Sequence, residues 1–375
     1  MAGLGFAACL AMPLTSLLAQ TAPPKPAPDT LILNDDEKLV GHFVRSNGGD
    51  LKFKSDLLGE VTIPWSKVKE LHAGGTYTVV GKDIRLGRRS DTSKLPKGSL
   101  AATAKEINVS AAPAAAPATV AVADAAHVIE TSEFEQQVMH NPGLGENWTG
   151  SINAGATLVE ATQQSRTFSG GFALVRAVPI EAWLDPRDRT IVDFNFASGV
   201  VKQPGVADVK TDILHADLER DEYFSTHRFY GFAQASFDHN YSQGLDLGAQ
   251  FGGGIGWTVV KSAANVLDAK ASMTYLHQSF NASSSPDTGL AASNFAEAFT
   301  HKFPHGVVLA QTASATPTWN ETSDWLANAS ITLTVPAYKR LNISLGASDS
   351  YLNNPPPSFR KNSFQLTTGL TYTLK

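Results

Sequence analysis

At 375 residues the chain is too long for one hydrophobic core, which seldom grows beyond about 250 to 300 residues, so two or three domains are expected. A formal net charge of -5 gives no support for a nucleic-acid partner, whose phosphates would need cations to neutralise them. Only 17% of the residues are charged, against about 25% in soluble domains, while aromatics at 9% are too frequent for a disordered chain; a membrane-exposed surface and an Ala/Pro spacer are left as sources of the deficit.

Met1 to Pro24 carries no charged side chain, and Leu4 to Ala19 is an apolar run ending in Leu17-Leu18-Ala19. An apolar run followed by a small residue is the pattern of a secretory signal, so residues 1–22 are expected to be a signal peptide, cleaved after Ala19 or Ala22. Pro13, Thr15 and Ser16 interrupt the run, which falls short of the ~20 apolar residues a spanning helix needs. Cys9, the single cysteine, lies inside it. The exported chain is therefore expected to have no disulfide and no thiolate metal site, and no cofactor is predicted.

Residues 23–110 read as a small periplasmic β domain. Lys38 to Arg45 leads into Ser46-Asn47-Gly48-Gly49, where Asn-Gly supplies positive φ for a hairpin. Leu51 to Lys54 alternates apolar and basic side chains, and Glu60 to Trp65 follows a second turn at Gly59. Further strands are expected at 76–80, 83–86 and 99–109, giving a strongly bent barrel of the SH3 or Sm kind. The basic run Lys82, Arg85, Arg88, Arg89, Lys94 and Lys97 offers contact with anionic lipid or a cell-wall polymer, against the plainer reading of a solvated loop. Residues 111–130, with Pro113 and Pro117 in an alanine run, cannot form a continuous helix and read as a semi-extended linker. Glu130, Glu133 and Glu135 suggest a short helical turn before Asn141-Pro142-Gly143.

From residue 131 onward the period is two. Leu245, Leu247, Ala249, Phe251, Gly253, Ile255, Trp257 and Val259 share one parity, while Asp246, Gly248, Gln250, Gly252, Gly254, Gly256 and Thr258 share the other. Phe364, Leu366, Leu370, Tyr372 and Leu374 repeat the pattern at the C-terminus. Strands are predicted at 147–160, 165–178, 188–200, 209–220, 225–238, 244–260, 265–279, 289–302, 306–318, 322–335, 339–350 and 361–374. They are twelve, an even number, and most reach the ~9 to 11 residues that cross a bilayer at a tilt. Glu297 and Gln311 break the apolar parity of the eighth and ninth. Connections alternate between short, such as residues 261–264, and longer and polar, such as residues 281–288.

In hydrocarbon no water satisfies backbone N–H and C=O groups, so a sheet that crosses must close on itself. The fold class is therefore all-β: an antiparallel transmembrane β-barrel of about twelve strands over residues 131–375, preceded by the small β domain. Trp148, Trp257, Tyr275, Trp325 and Tyr372 are candidate membrane-interface aromatics. The barrel implies outer-membrane lipid and the barrel-assembly machinery as partners; the small domain implies peptidoglycan or a periplasmic protein.

Residues 221–257 carry a resemblance. Asp221-Glu-Tyr-Phe-Ser-Thr-His-Arg-Phe-Tyr-Gly-Phe232, Phe237-Asp-His-Asn-Tyr-Ser-Gln-Gly-Leu-Asp-Leu247 and Gly252-Gly-Gly-Ile-Gly-Trp257 resemble the YdiY-like family of salt-induced outer-membrane proteins, a domain of unknown function. The Gln-Gly-Leu-Asp-Leu core and the Gly-x-Gly-aromatic strand end match, with Trp257 where tyrosine is common. His239 and Asn240 depart from the charged residues usual before the loop. The resemblance covers residues 147–375 and implies an outer-membrane barrel without a known activity. Leu39-Val-Gly41 and Glu60-Val-Thr-Ile-Pro-Trp65 are similar to the small β domain that precedes some of these barrels.

Candidate chemistry is sparse, and no catalytic or metal residue is predicted. His277-Gln278-Ser279 resembles the His-x-Ser strand of outer-membrane phospholipase A, and its i, i+2 spacing puts both side chains on the lipid parity. Phe280-Asn281 stands where that enzyme has Asn-Gly, so a lipid hydrolase is the alternative rather than the main expectation. His301 and His305 are separated by Pro304, which denies them the helical spacing of a zinc pair. Gly252 to Gly256 opens no helix, so close packing or lumen space is expected instead of a phosphate loop. Glu219-Arg220-Asp221-Glu222 is expected to form an exposed charge rim at the periplasmic end.

Overall fold

The computed structural model describes residues 28–84, 92–112, 116–139, 142–160, 164–180, 186–203, 205–224, 228–262, 264–281 and 287–374. The predicted signal peptide, with Cys9, and Arg85, Arg88 and Arg89 of the basic run lie outside the described residues. The described residues divide into two compact units, 28–83 with 93–131 and 132–374.

The first unit is a nine-stranded antiparallel sheet: β1 (Asp29–Leu33), β2 (Lys38–Asn47), β3 (Asp50–Ser55), β4 (Gly59–Pro64), β5 (Val68–Gly81), β6 (Lys97–Ala102), β7 (Glu106–Ser110), β8 (Ala118–Ala121) and β9 (Ala125–Glu130). The β2–β3 turn falls at Gly48, φ 63°, where Asn47-Gly48 predicts it. β9 pairs with both β2 and β5, each of which also pairs with β1, so these four strands close into a small barrel. Leu31, Phe43, Phe53, Trp65, Leu71 and Val128 belong to its core. Buried Asp29 accepts from the amides of Phe43 and Gly74, 2.9 Å each. The Tyr77 hydroxyl donates to the Phe43 carbonyl at 3.0 Å, and burial, with Asp29 beside it, pushes its pKa up so that the donor keeps its proton.

The linker expected at residues 111–130 is corrected. Ala118–Ala121 pairs with β7, and Ala125–Glu130 closes the small barrel with Val128 and Ile129 buried. Pro117 stands just before β8 and so removes no ladder hydrogen bond, while Pro113 lies outside the described residues. His-Val-Ile at residues 127–129 then supplies the β-branched side chains that fill the core. The small domain thus runs to Thr131, and a helical turn (Thr131–Glu133, continuing through Phe134–Met139) follows, near the one expected.

The second unit is a closed antiparallel barrel of twelve strands. They are β10 (Trp148–Glu160), β11 (Gln164–Val178), β12 (Asp188–Gln203), β13 (Val206–Tyr223), β14 (Phe229–Asn240), β15 (Leu245–Lys261), β16 (Asn265–Phe280), β17 (Thr288–Lys302), β18 (Val308–Thr316), β19 (Leu326–Tyr338), β20 (Leu341–Leu352) and β21 (Asn362–Thr373). Register from Ser151↔Thr373 to Ala154↔Leu370 joins the last strand to the first and removes the open edge. Both chain ends of the barrel and the connections at residues 262–264 and 339–340 lie at one end. The long connections at residues 281–287, 317–325 and 353–361 lie at the other. The expected alternation of lengths holds in the second half only, since β10–β11 and β12–β13 turn within three and two residues at the long-connection end.

Side chains of one parity point outward around the whole ring. Phe168, Ile255, Met273, Phe295, Leu345, Leu366 and Leu370 are all exposed, Met273 and Leu366 by about two thirds (65% and 67%). An apolar belt of this kind is a lipid-facing surface, which makes the unit a transmembrane barrel. The two parity breaks meet each other. Glu297 and Gln311 both point outward as diagonal cross-strand neighbours, and Gln311 Nε2 donates to Glu297 Oε1 at 2.7 Å.

Candidate functional site

The inner parity divides into two unlike walls. On β18 to β21 and β10, the inward side chains include Thr312, Ser314, Asn328, Ser330, Thr332, Ser344, Gln365, Thr367, Ser151 and Asn153, all uncharged. Thr312 and Ser330 share a hydroxyl hydrogen bond of 2.8 Å. On β12 to β16 the inward side chains carry charge. Here Arg189, Asp193, Asp217, Glu219, Asp221, Asp238, Asp268 and Lys270 converge from four strands, with His215 among them.

The lower part of this wall, toward the short connections, is a closed ionic network. Arg189 Nε donates to Asp221 Oδ2 at 2.6 Å and Nη1 to Asp268 Oδ2 at 3.0 Å. Asp268 also accepts from the Thr258 hydroxyl at 2.7 Å, and Lys270 reaches Glu219 Oε2 at 2.7 Å. The guanidinium lies 5.3 Å from the Tyr230 ring centre and 5.8 Å from that of Tyr223, while the Lys270 ammonium lies 5.7 Å from that of Phe232. Tyr230 is fully buried because Gly256 stands opposite it on β15, where a Cβ would come within 2.1 Å of the ring. This is the lumen space expected of the glycine run, used to seat an aromatic ring.

Further toward the long connections the wall opens. Asp193 pairs in register with Asp217, Asn195 with His215, and His215 with Asp238. His215 Nδ1 lies 2.7 Å from Asp238 Oδ1, and both side chains are nearly half exposed (43% and 45%). Asn195 donates to Asp193 and is itself exposed on the inner face, as are Ala173, Thr312, Asn328 and Thr367. Water therefore reaches this level from both walls. The inner face is acid-rich: six carboxylates stand against the two fixed cations Arg189 and Lys270.

The expected rim at residues 219–222 is corrected by parity. Glu219 and Asp221 point inward, are buried, and belong to the network; only Arg220 and Glu222 point outward. Arg220 Nη2 contacts Glu222 at 2.7 Å and Asp188 at 3.0 Å.

The five predicted interface aromatics stand near strand ends. Trp148, Trp257 and Tyr372 lie toward the short-connection end, Tyr275 and Trp325 toward the other. Trp257 stacks on Phe229 with ring centres 5.6 Å apart, and Trp325 on Tyr351 at 4.8 Å. His277 and Ser279 point outward on β16, opposite Ala249 and Leu247. Among the described residues no hydrogen bond joins the two, or His277 to a carboxylate or amide. His301 bonds Asn265 at 2.6 Å and packs edge-on against Phe303. Among the described residues no group of three or more His, Cys, Asp or Glu side chains is placed to hold a metal ion.

Residues 145–374 match the family described as a protein of unknown function, DUF481. The chain belongs to this family. The match begins at the barrel and spans nearly all of it, so the small domain lies outside the family region. No curated protein matches the chain. Among solved structures, the DUF481 chain is similar to the β domain of the Bordetella autotransporter BrkA, at 11% identity and TM-score 0.29, covering 61% of this chain and 98% of that one. It is also similar to the translocator domain of the autotransporter NalP from Neisseria meningitidis, at 12% identity and TM-score 0.32, covering 60% and 87%. Pseudomonas aeruginosa OccK11 gives 8% identity and TM-score 0.24, covering 60% and 94%.

Proposed function

We propose that the DUF481 barrel lies in the outer membrane, with the small domain in the periplasm, and serves as a narrow water-filled conduit that favours small cations and neutral hydrophilic solutes. The observation that carries this reading is the opposition of two inner walls, one of hydroxyl and amide groups and one of carboxylates of which Asp193, Asp217 and Asp238 are partly exposed, with exposed side chains on both. A barrel needed only as an anchor would gain more from an interior packed with apolar side chains than from buried ion pairs, whose desolvation offsets most of their attraction. The closed Arg189 network narrows the lower lumen and leaves Asp193, Asp217 and Asp238 to set the field where the path is wider. Low-dielectric walls focus that field on whatever occupies the lumen.

Solute efflux from proteoliposomes tests this. The refolded barrel is expected to release a small organic cation faster than an anion of equal size, and to retain bulky sugars. Replacing Asp193, Asp217 and Asp238 together by asparagine is expected to abolish the preference without stopping release. Efflux no faster than from protein-free vesicles would remove the conduit reading.

A further inference from the structure

We infer that the turn at residues 240–244 is a fixed crossbar over the mouth of the barrel, set by Gln243, that admits small solutes to the lumen and excludes large ones. Its consequence for transport rests on the conduit reading. The crossing itself stands on geometry. β14 and β15, which this turn joins, are the fifth and sixth strands of the ring, and β20 and β21 are the eleventh and twelfth, so the two hairpins stand on opposite sides. The Gln243 side chain nonetheless donates through Nε2 to the carbonyls of Ser350 and Lys361, 2.9 Å each. Those carbonyls flank the β20–β21 connection.

Both polar atoms of the Gln243 amide are engaged. Both Nε2 protons reach across the mouth, while Oε1 accepts from Asn240 Nδ2 at 2.9 Å. The residue is 2% exposed, an unusual degree of burial for a side chain in a turn at a barrel rim. Asn240 holds the turn from its other end by accepting from the Ser242 amide at 3.1 Å. The Ser242 and Ser363 hydroxyls come within 3.2 Å, a second contact between the opposed hairpins. Gly244 takes a left-handed conformation, φ 69°, and lies flat on the ring of Phe359, which a Cβ there would approach to 2.9 Å. Its carbonyl accepts from the Asn281 amide at 2.9 Å, fixing the crossbar to the β16–β17 connection as well.

A turn tied to two other connections with its buried polar groups satisfied resists displacement, since each broken bond would strand a buried donor or acceptor. No charge resides in residues 240–244, so the crossbar selects by size; charge selection falls to Asp238, two residues inward on β14.

The test places a thiol below the crossbar, as Asn195→Cys in a chain also carrying Cys9→Ser. A small maleimide is expected to label this chain with or without Gln243→Ala. A maleimide on a long polyethylene-glycol chain is expected to label only the Gln243→Ala version, rising from background to the level of the small reagent. Equal polymer labelling of the two would overturn the size filter. If Gln243→Ala lacks the heat-shifted electrophoretic migration of a closed barrel, Phe359→Ala, which removes the ring under Gly244, is the variant read instead. Independently, Ser242→Cys with Ser363→Cys is expected to form a disulfide on mild oxidation, and failure to do so would overturn the crossing itself. Neither readout requires ion flow, so a barrel that shows both but never conducts would refute the conduit and leave the crossbar standing.

Discussion

Replacing Arg189 by leucine is expected to lower the stability of the barrel by about 3 to 5 kcal/mol, the cost of leaving buried charges without their partner. Among the described residues Arg189 alone bridges Asp221 on β13 and Asp268 on β16, two carboxylates that are almost wholly buried. Without the guanidinium they stay buried on either side of β14 and β15, with Thr258 and the neighbouring Lys270 as the remaining local support. Arg189→Lys is expected to recover only part of the loss, because an ammonium lacks the fork that reaches both acids and the flat face that packs on Tyr230. Combining Arg189→Leu with Asp221→Asn and Asp268→Asn is expected to restore most of the stability. The measurement is the urea midpoint for loss of the compact, heat-modifiable form. An unchanged midpoint in Arg189→Leu would mean that lumen water already screens the acids.

The second large effect concerns the opposite parity. Leu345 points outward near the middle of β20, between Leu333 and Thr368, and is half exposed. Leu345→Arg is expected to destabilise the folded barrel in lipid by about 2 to 4 kcal/mol, as for a cation at the bilayer midplane. Gln365→Arg, on the inner parity of the adjoining strand, is expected to stay within about 0.5 kcal/mol. Leu341→Arg, at the strand end, is expected to fall near the bottom of the range, about 0 to 1 kcal/mol. Reversible folding into short-chain lipid vesicles ranks the three. Equal costs for Leu345→Arg and Gln365→Arg would contradict the assignment of faces.

Much of the barrel was legible because period two is hard to counterfeit over long strands. The alternation from Leu247 to Trp257 sets the lipid face of β15 without reference to any neighbour, although bulges after Leu245 and Thr258 bury Leu245 and turn Val260 rather than Val259 outward, and the predicted bounds of most strands lie within three residues of those found. The ion network was less legible, although its signal was present. Glu219-Arg220-Asp221-Glu222 looks like a continuous charged rim until it is split by parity, when two acids go inward and two charges go outward. What no single strand can reveal is that Arg189, 32 residues from Asp221 and 79 from Asp268, supplies the compensating charge, because that depends on ring closure and register. The small domain misled for a different reason. The Ala/Pro run is confined to residues 111–117, whereas Val120, Val128 and Ile129 had enough β-branched bulk to join a sheet, and composition averaged over twenty residues hid them. The mouth crossbar lay within the motif that carries the family resemblance, yet its partner carbonyls at Ser350 and Lys361 have no side-chain signature at all.

The reversal potential of the purified barrel in a planar bilayer under a salt gradient tests the central claim most directly. A conduit lined by Asp193, Asp217 and Asp238 is expected to give discrete conductance steps whose reversal potential has the sign of cation preference, moving toward zero when the three are asparagine. Absence of steps above the bare bilayer, or a potential of the anion-selective sign, would contradict it.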